Sequence, residues 1–157
     1  MKTKTIMTMI IILAVSLNIW AKKSVLENYE TKSKVYSSKT INAYYTGPIF
    51  ATGGAMSDIN RYIKDMEPTK IGGIEKNSIT LIESDTLENQ IYKFNKATCY
   101  KVTSKGQSFS IIYMKCKMNA EEYEIVIELK EGPNYDRTIN IFKDNKPTVL
   151  ILCVDNN

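Results

Sequence analysis

Acidic side chains are the residues of this sequence with the best claim to catalysis, because the 157-residue chain contains no histidine. Histidine is the usual general base near neutral pH, so its absence excludes serine–histidine and cysteine–histidine nucleophiles. Two acidic groups could still supply the paired carboxylates of a hydrolase: Glu122, Glu124 and Glu128, and Glu83, Asp85 and Glu88. Runs of this kind are usually a solvated strand face and a polar turn. We therefore expect no catalytic residue, and a carboxylate-based hydrolase is the weaker alternative.

Cysteines are the second reactive group, and the sequence has three of them, Cys99, Cys116 and Cys153. Their spacing matches no zinc-ligand pattern, and neither a Cys-x-x-Cys redox motif nor a phosphate-binding glycine loop is present. We therefore expect no metal site and no cofactor. Cys153 lies in the apolar run 148–154, which predicts a buried thiol that acts as a small hydrophobic residue.

Strand register decides whether Cys99 and Cys116 can form a disulfide. They lie on predicted strands on either side of the turn residues Lys105-Gly106, and a disulfide needs Cα atoms about 4.4–6.8 Å apart. A turn centred on Lys105-Gly106 places Cys99 opposite Ile112. A longer loop that ends at Gln107-Ser108 places the two cysteines opposite each other. Because an exported protein can form disulfides, we favour the Cys99–Cys116 pair.

Tyr44, Tyr45 and Phe50 are the residues most typical of a binding surface. They lie in a segment that contains the turn-forming pairs Gly47-Pro48 and Gly53-Gly54. Large rigid rings in such loops contribute much contact area at a small entropic cost, so we expect these three side chains to bind a partner. The alternative is that the rings close one end of the hydrophobic core, because an apolar residue in a connecting segment is more often buried than exposed.

Residues 1–21 have the features of a cleavable secretory signal peptide. Lys2 and Lys4 precede the uncharged and mainly apolar stretch 6–20, and Ala21 is a small residue at the expected cleavage point. An uncleaved membrane anchor is the alternative, but a span needs about 20 apolar residues, and this stretch is shorter and contains three polar residues. We expect cleavage after Ala21 and a periplasmic or secreted protein without a membrane span.

Residues 22–157 are expected to form one exported domain, because their number falls within the usual size of a single domain. The full chain has 21 basic and 17 acidic residues, and removal of Lys2 and Lys4 leaves 19 basic residues against 17 acidic ones. The basic residues are scattered among acidic ones along the sequence. Binding to nucleic acid or to a membrane surface needs a basic cluster instead. We therefore expect no nucleic-acid partner.

The periodicity of the domain changes from helical to strand-like along the chain. Met56, Ile59, Ile63 and Met66 repeat at helical spacing and predict an amphipathic helix that ends at Pro68. Six later segments predict antiparallel strands joined by short turns: 78–82, 90–103, 108–118, 122–130, 138–143 and 148–154. The predicted fold class is α+β: a five- to six-stranded antiparallel meander, as a curved sheet or a small partly open barrel, with one N-terminal amphipathic helix packed on it.

Two local patterns add detail to this prediction. Ser24 and Glu27 match a capping box, which predicts a short helix that begins at Val25 and passes into an extended segment. Along residues 122–130, apolar side chains alternate with glutamates. This alternation predicts that Ile127 faces the core and that Glu124 faces solvent.

The predicted function is that of an exported non-catalytic binding protein that acts on a protein partner, such as an inhibitor, an immunity protein or an envelope accessory protein. The alternative is a carrier of a small lipid-like ligand in an apolar pocket between the sheet and the helix. The carrier would need a cavity lined by four residues of the predicted strands: Tyr92, Phe94, Ile111 and Tyr113. Exposed aromatic rings in the segment 44–50 would favour the protein partner.

Overall fold

The computed structural model describes residues 22–42, 45–51, 69–82, 88–132 and 135–154. In these residues the chain forms one 3₁₀ turn, Val25–Asn28, and nine strands. The strands are β1 (Thr31–Ser38), β2 (Gly47–Ala51), β3 (Thr69–Glu75), β4 (Ser78–Ile82), β5 (Asn89–Ser104), β6 (Gln107–Met118), β7 (Glu121–Leu129), β8 (Arg137–Lys143) and β9 (Lys146–Val154). Within the described residues, no helix has the length and apolar character needed to cross a membrane.

Eight of the strands close into an antiparallel barrel, and β1 lies outside it. The ring of hydrogen-bonded neighbours runs β5-β4-β3-β2-β9-β8-β7-β6 and returns to β5 through the β5–β6 pair. β5 is 16 residues long and pairs with two different strands along the same edge. Residues 89–93 pair with β4, and residues 97–103 pair with β1. A register shift between Phe94 and Ala97 lies between the two pairings. β1 therefore extends the sheet beyond the barrel instead of closing it.

Three of the hairpins are closed by two-residue turns in which both residues have a left-handed backbone. The turns are Lys105-Gly106, Asn119-Ala120 and Asp144-Asn145, with φ values between 49° and 72°. Turns of this type match the right-handed twist of the strands that they join. They therefore set the register of the β5–β6, β6–β7 and β8–β9 pairs.

Apolar side chains from alternate strand positions fill the barrel interior. β7 is the clearest case, because Ile125 and Ile127 point inward and are 0% and 1% exposed. Ile112 of β6 and Ile139 of β8 lie directly opposite Ile127 on the two neighbouring strands, and both are also buried. The predicted position of Ile127 in the core is confirmed.

The predicted α+β class is wrong, because the described residues form a nearly all-β fold of nine strands, eight of them in a closed barrel. The capping box at Ser24 begins only a single 3₁₀ turn, in which Ser24 Oγ accepts a hydrogen bond from the Leu26 N–H. The amphipathic helix predicted for residues 56–66 lies outside the described residues. The antiparallel pairing of the sheet is confirmed.

Strands β2 and β3 have no counterpart in the prediction, because Gly47-Pro48 and Gly72-Gly73 have the composition of turns. In the structure, Gly72 lies within the β3–β4 pair, directly opposite Leu81. A Cβ atom at Gly72 would lie 2.0 Å from the carbonyl oxygen of Thr80. This glycine therefore permits the close approach of two strands and does not mark a turn.

A second hydrophobic cluster lies on the outer face of the barrel, beneath an N-terminal strap that we define as residues 22–30. Val25 of the strap is 1% exposed and packs against outward-facing side chains of the barrel wall. The buried members of this outer cluster are Val25, Val102, Ile111, Tyr113 and Val126, and Leu26, Tyr29, Tyr100, Phe109 and Phe142 pack against them. The strap thus covers an apolar part of the outer wall.

Candidate functional site

Two of the glutamates on the outer face of β7 bind the strap. Glu124 Oε2 accepts a hydrogen bond from the Val25 backbone N–H at 2.7 Å. Glu128 Oε1 accepts a hydrogen bond from the Tyr29 hydroxyl at 3.0 Å. Both glutamates are half-buried. Glu124 points outward, as predicted, but the strap covers it in part, and strand periodicity does not reveal a covering segment that is distant in the sequence.

These contacts bear on the carboxylate-based hydrolase. The two half-buried glutamates accept hydrogen bonds from the strap. This structural role accounts for their partial burial without a catalytic function. Of the other predicted acidic residues, Glu122 and Glu88 are exposed, and Glu83 and Asp85 lie outside the described residues. The described part of the chain brings no group of three or more Cys, Asp or Glu side chains together in an arrangement that could hold a metal ion.

Burial beneath the strap changes the acidity of two tyrosines. Burial raises the pKa of Tyr113 to about 12; the hydrogen bond with Ser24 lowers this pKa, and the nearby Glu124 carboxylate raises it. The two hydroxyl oxygens of Tyr113 and Ser24 lie 3.3 Å apart. Burial and the adjacent Glu128 also raise the pKa of Tyr29. Both phenols therefore stay neutral over the physiological pH range and serve as hydrogen-bonding groups.

The predicted aromatic binding residues do not form an exposed loop in the described part of the chain. Tyr45 is half-buried and packs against the core of the barrel. Phe50 is half-buried on β2, where it lies opposite Val154 of β9. Tyr44 lies outside the described residues. Gly47-Pro48 begins a strand of the barrel wall instead of a loop.

All three cysteines are buried thiols, and the favoured Cys99–Cys116 disulfide is not formed. The two-residue β5–β6 turn places Cys99 opposite Ile112, and Cys116 lies opposite Phe94. This is the register in which the two cysteines do not face each other. Burial raises the pKa of Cys116 to about 12. Cys153 is 1% exposed, as expected for a buried thiol in an apolar strand.

The four residues predicted to line a carrier pocket lie on opposite faces of the barrel wall. Tyr92 and Phe94 belong to the interior cluster, whereas Ile111 and Tyr113 belong to the outer cluster beneath the strap. None of the four is more than 8% exposed. They are therefore parts of two packed clusters, and of the four only Phe94 and Tyr113 line a common space, the open cleft beside the strap.

β1 presents an exposed strand edge. Among the described strands it pairs with β5 alone, and its first seven residues are exposed. Val35 lies at the register shift between Lys34 and Tyr36 and is 58% exposed, and Tyr36 is 43% exposed. Ser37 Oγ lies 2.9 Å from Thr98 Oγ1 of β5 and holds the C-terminal end of the strand. An ordered strand with an unpaired edge is a template for the addition of another strand.

An open cleft of about 910 Å³ lies beside the strap, and residues of both the outer and the interior cluster line it. Six lysines line the cleft: Lys22, Lys23, Lys93, Lys96, Lys115 and Lys117. Three acidic residues also line it: Glu122, Glu124 and Asp144. The excess of lysines makes the cleft basic.

The cleft is not evident in the sequence, because its lysines come from three separate segments, the strap, β5 and β6. They lie side by side only because β5 pairs with β6, and that pairing places Lys93 directly opposite Lys117. The one signal in the sequence is the alternation of Lys115 and Lys117, which places both side chains on the same face of a strand.

No protein-family model, curated protein or solved structure matches this chain.

Proposed function

We propose that this chain is an exported, non-catalytic binding protein that engages a protein partner through strand addition at β1. The observation that carries the proposal is the edge of β1, which is unpaired among the described strands, together with the exposure of its side chains. Such an edge offers a row of backbone N–H and C=O groups that another extended polypeptide can pair with. A small ligand cannot use such a row, so a protein partner is favoured at this surface.

The charge of β1 favours an acidic partner segment. Lys32 and Lys34 lie on the strand, and Lys101 of β5 lies opposite Ser33, which is the residue between them. Neither β1 nor the paired β5 residues 97–103 contain an acidic residue. Lysines at a strand edge oppose pairing with a second copy of the same strand, because like charges in opposed positions are unfavourable. The partner that fits this edge is an extended segment that contains aspartate or glutamate.

Exposed side chains on β1 would supply the remaining contacts. Val35 and Tyr36 are the large exposed apolar residues of the strand. Burial raises the pKa of Tyr36, and the nearby Cys99 and Tyr45 raise it further.

Export is supported by the N-terminal sequence and by the position of the strap. Residues 1–21 have the order of charge, apolar run and small residue that signal peptides have. Lys22 begins the strap, and its Nζ lies 2.7 Å from Asp144 Oδ1. All nine strands lie within residues 31–154, so a chain that starts at Lys22 retains both strap and barrel. The protein isolated from its host should begin near Lys22, whereas an intact Met1 in the membrane fraction would contradict a cleaved signal peptide.

Site-specific cross-linking tests strand addition. Val35 is replaced by the photoreactive residue p-benzoylphenylalanine in the exported protein, and the same replacement at the exposed residue Lys70 of β3 is the control. We expect an adduct from position 35 that position 70 does not form. Peptide mapping should place this adduct in an extended acidic segment of another protein. An adduct between two copies of this chain, or equal adducts from both positions, would contradict the proposal.

A binding assay then tests the role of charge. The mapped segment is synthesised and titrated into the mature domain. Lys32→Glu/Lys34→Glu should weaken binding about tenfold or more, because it reverses the charges that attract the acidic segment. The variant should keep the melting temperature of the parent, since both side chains are exposed. Lys70→Glu/Lys146→Glu is the charge-matched control, and an equal loss of affinity in the control would exclude β1 as the specific site.

A further inference from the structure

We propose that the lysine-lined cleft is a binding site for an amphipathic organic anion, that is, a carboxylate or phosphate head carried on an apolar body. The proposal concerns a second surface and does not depend on strand addition at β1. The volume of the cleft, about 910 Å³, lies within the range of small-molecule sites, roughly 300–1,000 Å³.

Two lysines of the cleft face each other across neighbouring strands. Lys93 of β5 lies directly opposite Lys117 of β6, and both side chains are exposed. Like charges in opposed positions destabilise a sheet. Glu122 of β7 lies on the other side of Lys117, but neither lysine forms an ion pair within the described residues. Within the described residues the two ammonium groups therefore form no ion pair, and a bound anion would relieve their repulsion.

Two other carboxylates of the cleft are already engaged. Lys115 lies opposite Glu124, whose Oε2 accepts hydrogen bonds from Val25 and Ser24 of the strap. Glu124 therefore stabilises the strap and leaves Lys115 without an ion pair in the described part of the chain. The positive charge of Lys115 adds to that of the opposed lysine pair.

The third carboxylate, that of Asp144, is paired with Lys22 at the strap end of the cleft. The hydrogen bond and charge of Asp144 raise the pKa of Lys22, and Lys22 in turn lowers the pKa of Asp144. The charges of the Lys22 ammonium and the Asp144 carboxylate therefore compensate each other. Within the described residues, the positive charge without an ion pair thus lies on Lys23 of the strap and on the sheet lysines.

Apolar side chains lie in the same cleft as the lysines. Tyr113 and Phe142 line it from the outer cluster, and Ile91 of β5 lines it with 42% of its side chain exposed. Inorganic phosphate would contact the lysines alone. A ligand with an apolar body would also bury part of these side chains, which is favourable because it removes apolar surface from water.

A bulge in β5 shapes one wall of the cleft. The register shift between Phe94 and Ala97 leaves Asn95 and Lys96 outside the β5–β6 ladder, and both residues line the cleft. Bulges redirect side chains and are common beside binding sites. Here the bulge adds a side-chain amide and a further ammonium group to the same space.

Calorimetric titration of the mature domain tests the ligand class. Laurate and dodecyl phosphate, below their micelle concentrations, should each bind with one site per chain. The neutral detergent octyl glucoside and inorganic phosphate should bind at least about tenfold more weakly. Octyl glucoside lacks the anionic head, and inorganic phosphate lacks the apolar body. Vesicles that contain phosphatidylglycerol distinguish a free amphiphile from a membrane surface. Binding to the vesicles without binding to laurate or dodecyl phosphate would overturn the proposal, as would equal affinity for octyl glucoside.

Substitutions then locate the site. Lys93→Ala/Lys117→Ala should weaken laurate binding about tenfold, since charge-assisted contacts to the head group are lost. The melting temperature should stay the same or rise, because the substitution removes an opposed like-charge pair. The control Lys70→Ala/Lys105→Asn removes two charges outside the cleft, and asparagine tolerates the left-handed backbone of position 105, where φ is 49°. Equal laurate affinity in the two variants would exclude the cleft as the site.

Discussion

Replacement of Glu124 by lysine tests whether the outer face of β7 is a solvated strand face or the attachment site of the strap. Glu124 Oε2 accepts hydrogen bonds from the Val25 N–H at 2.7 Å and from Ser24 Oγ at 3.3 Å. Glu122 lies two residues earlier on the same face, is exposed, and forms no hydrogen bond within the described residues. Alternation along the strand predicts that both positions tolerate lysine equally. The structure predicts that only Glu122 does.

The expected loss of stability follows from the contacts that Glu124→Lys removes. A hydrogen bond to a charged group contributes roughly 1.5–3 kcal/mol, and because Glu124 is only half-buried, we take the low end for each of its two bonds. The new ammonium group would also face Lys115 across the β6–β7 pair, which adds a few tenths of a kcal/mol. The sum is about 3 kcal/mol, a large share of a typical total stability of roughly 5–15 kcal/mol.

Urea unfolding of the mature domain, followed by circular dichroism, measures this loss. The matched control is Glu122→Lys, which faces Lys117 and should cost less than about 1 kcal/mol. We expect Glu124→Lys to lower the free energy of unfolding by about 3 kcal/mol at an unchanged slope against urea concentration. If both variants lost the same stability, Glu124 would not be an attachment point for the strap.

Three shorter tests concern the barrel interior and its ionisable groups. Ile127→Asp should prevent folding, because a charge at this 1% exposed position has no partner and costs several kcal/mol to bury; a native circular dichroism spectrum would contradict this. Cys116 and Cys153 should resist alkylation by iodoacetamide in the folded protein and react after denaturation, as measured by mass spectrometry. Rapid alkylation in the folded protein would show that these strands are accessible. The free energy of unfolding in urea should stay constant up to about pH 9 and fall toward pH 12. Folding raises the pKa of Cys116 from 9.0 and that of Tyr113 from 10.0 to about 12, so the unfolded chain loses these protons first as the pH rises. A free energy of unfolding that does not change over this range would exclude both shifts.

Strands with one buried face could be predicted from the sequence. The predicted segment 78–82 coincides with β4, and the predicted segment 138–143 differs from β8 by one residue. In both cases burial of one face produces a period of two in the sequence. β1 has no such period, because its side chains are exposed on both faces. Nothing in its residues distinguishes it from an extended connection.

Closure of the barrel could not be predicted, because it depends on pairs of strands that are distant in the sequence. β2 and β9 meet through two residue pairs, Phe50 with Val154 and Ala51 with Cys153. Short turns predict which consecutive strands are neighbours, but they give no information on this closing pair. β3 could not be predicted for another reason. The close approach of two strands at Gly72 needs glycine, which is also the residue typical of a turn.

The polar surfaces could not be predicted for a related reason. Glu124 and Val25 are 99 residues apart in the sequence, so strand periodicity reveals the outward direction of Glu124 but not the segment that covers it. In the same way, Lys93 and Lys117 become a pair only through the β5–β6 register. Charges that are scattered in sequence can therefore form a cluster on a barrel wall.

The energetics of β1 bear directly on its role. None of its first seven residues is buried, so apolar burial, at about 25 cal/mol per Å², contributes little to its order. Backbone pairing with β5 and the contact between Ser37 and Thr98 hold it in place. A strand that the core does not require, with an accessible edge, would ordinarily promote self-association. Lys32 and Lys34 oppose that association but leave the backbone edge accessible, and this combination favours recognition of an acidic segment over a purely structural role.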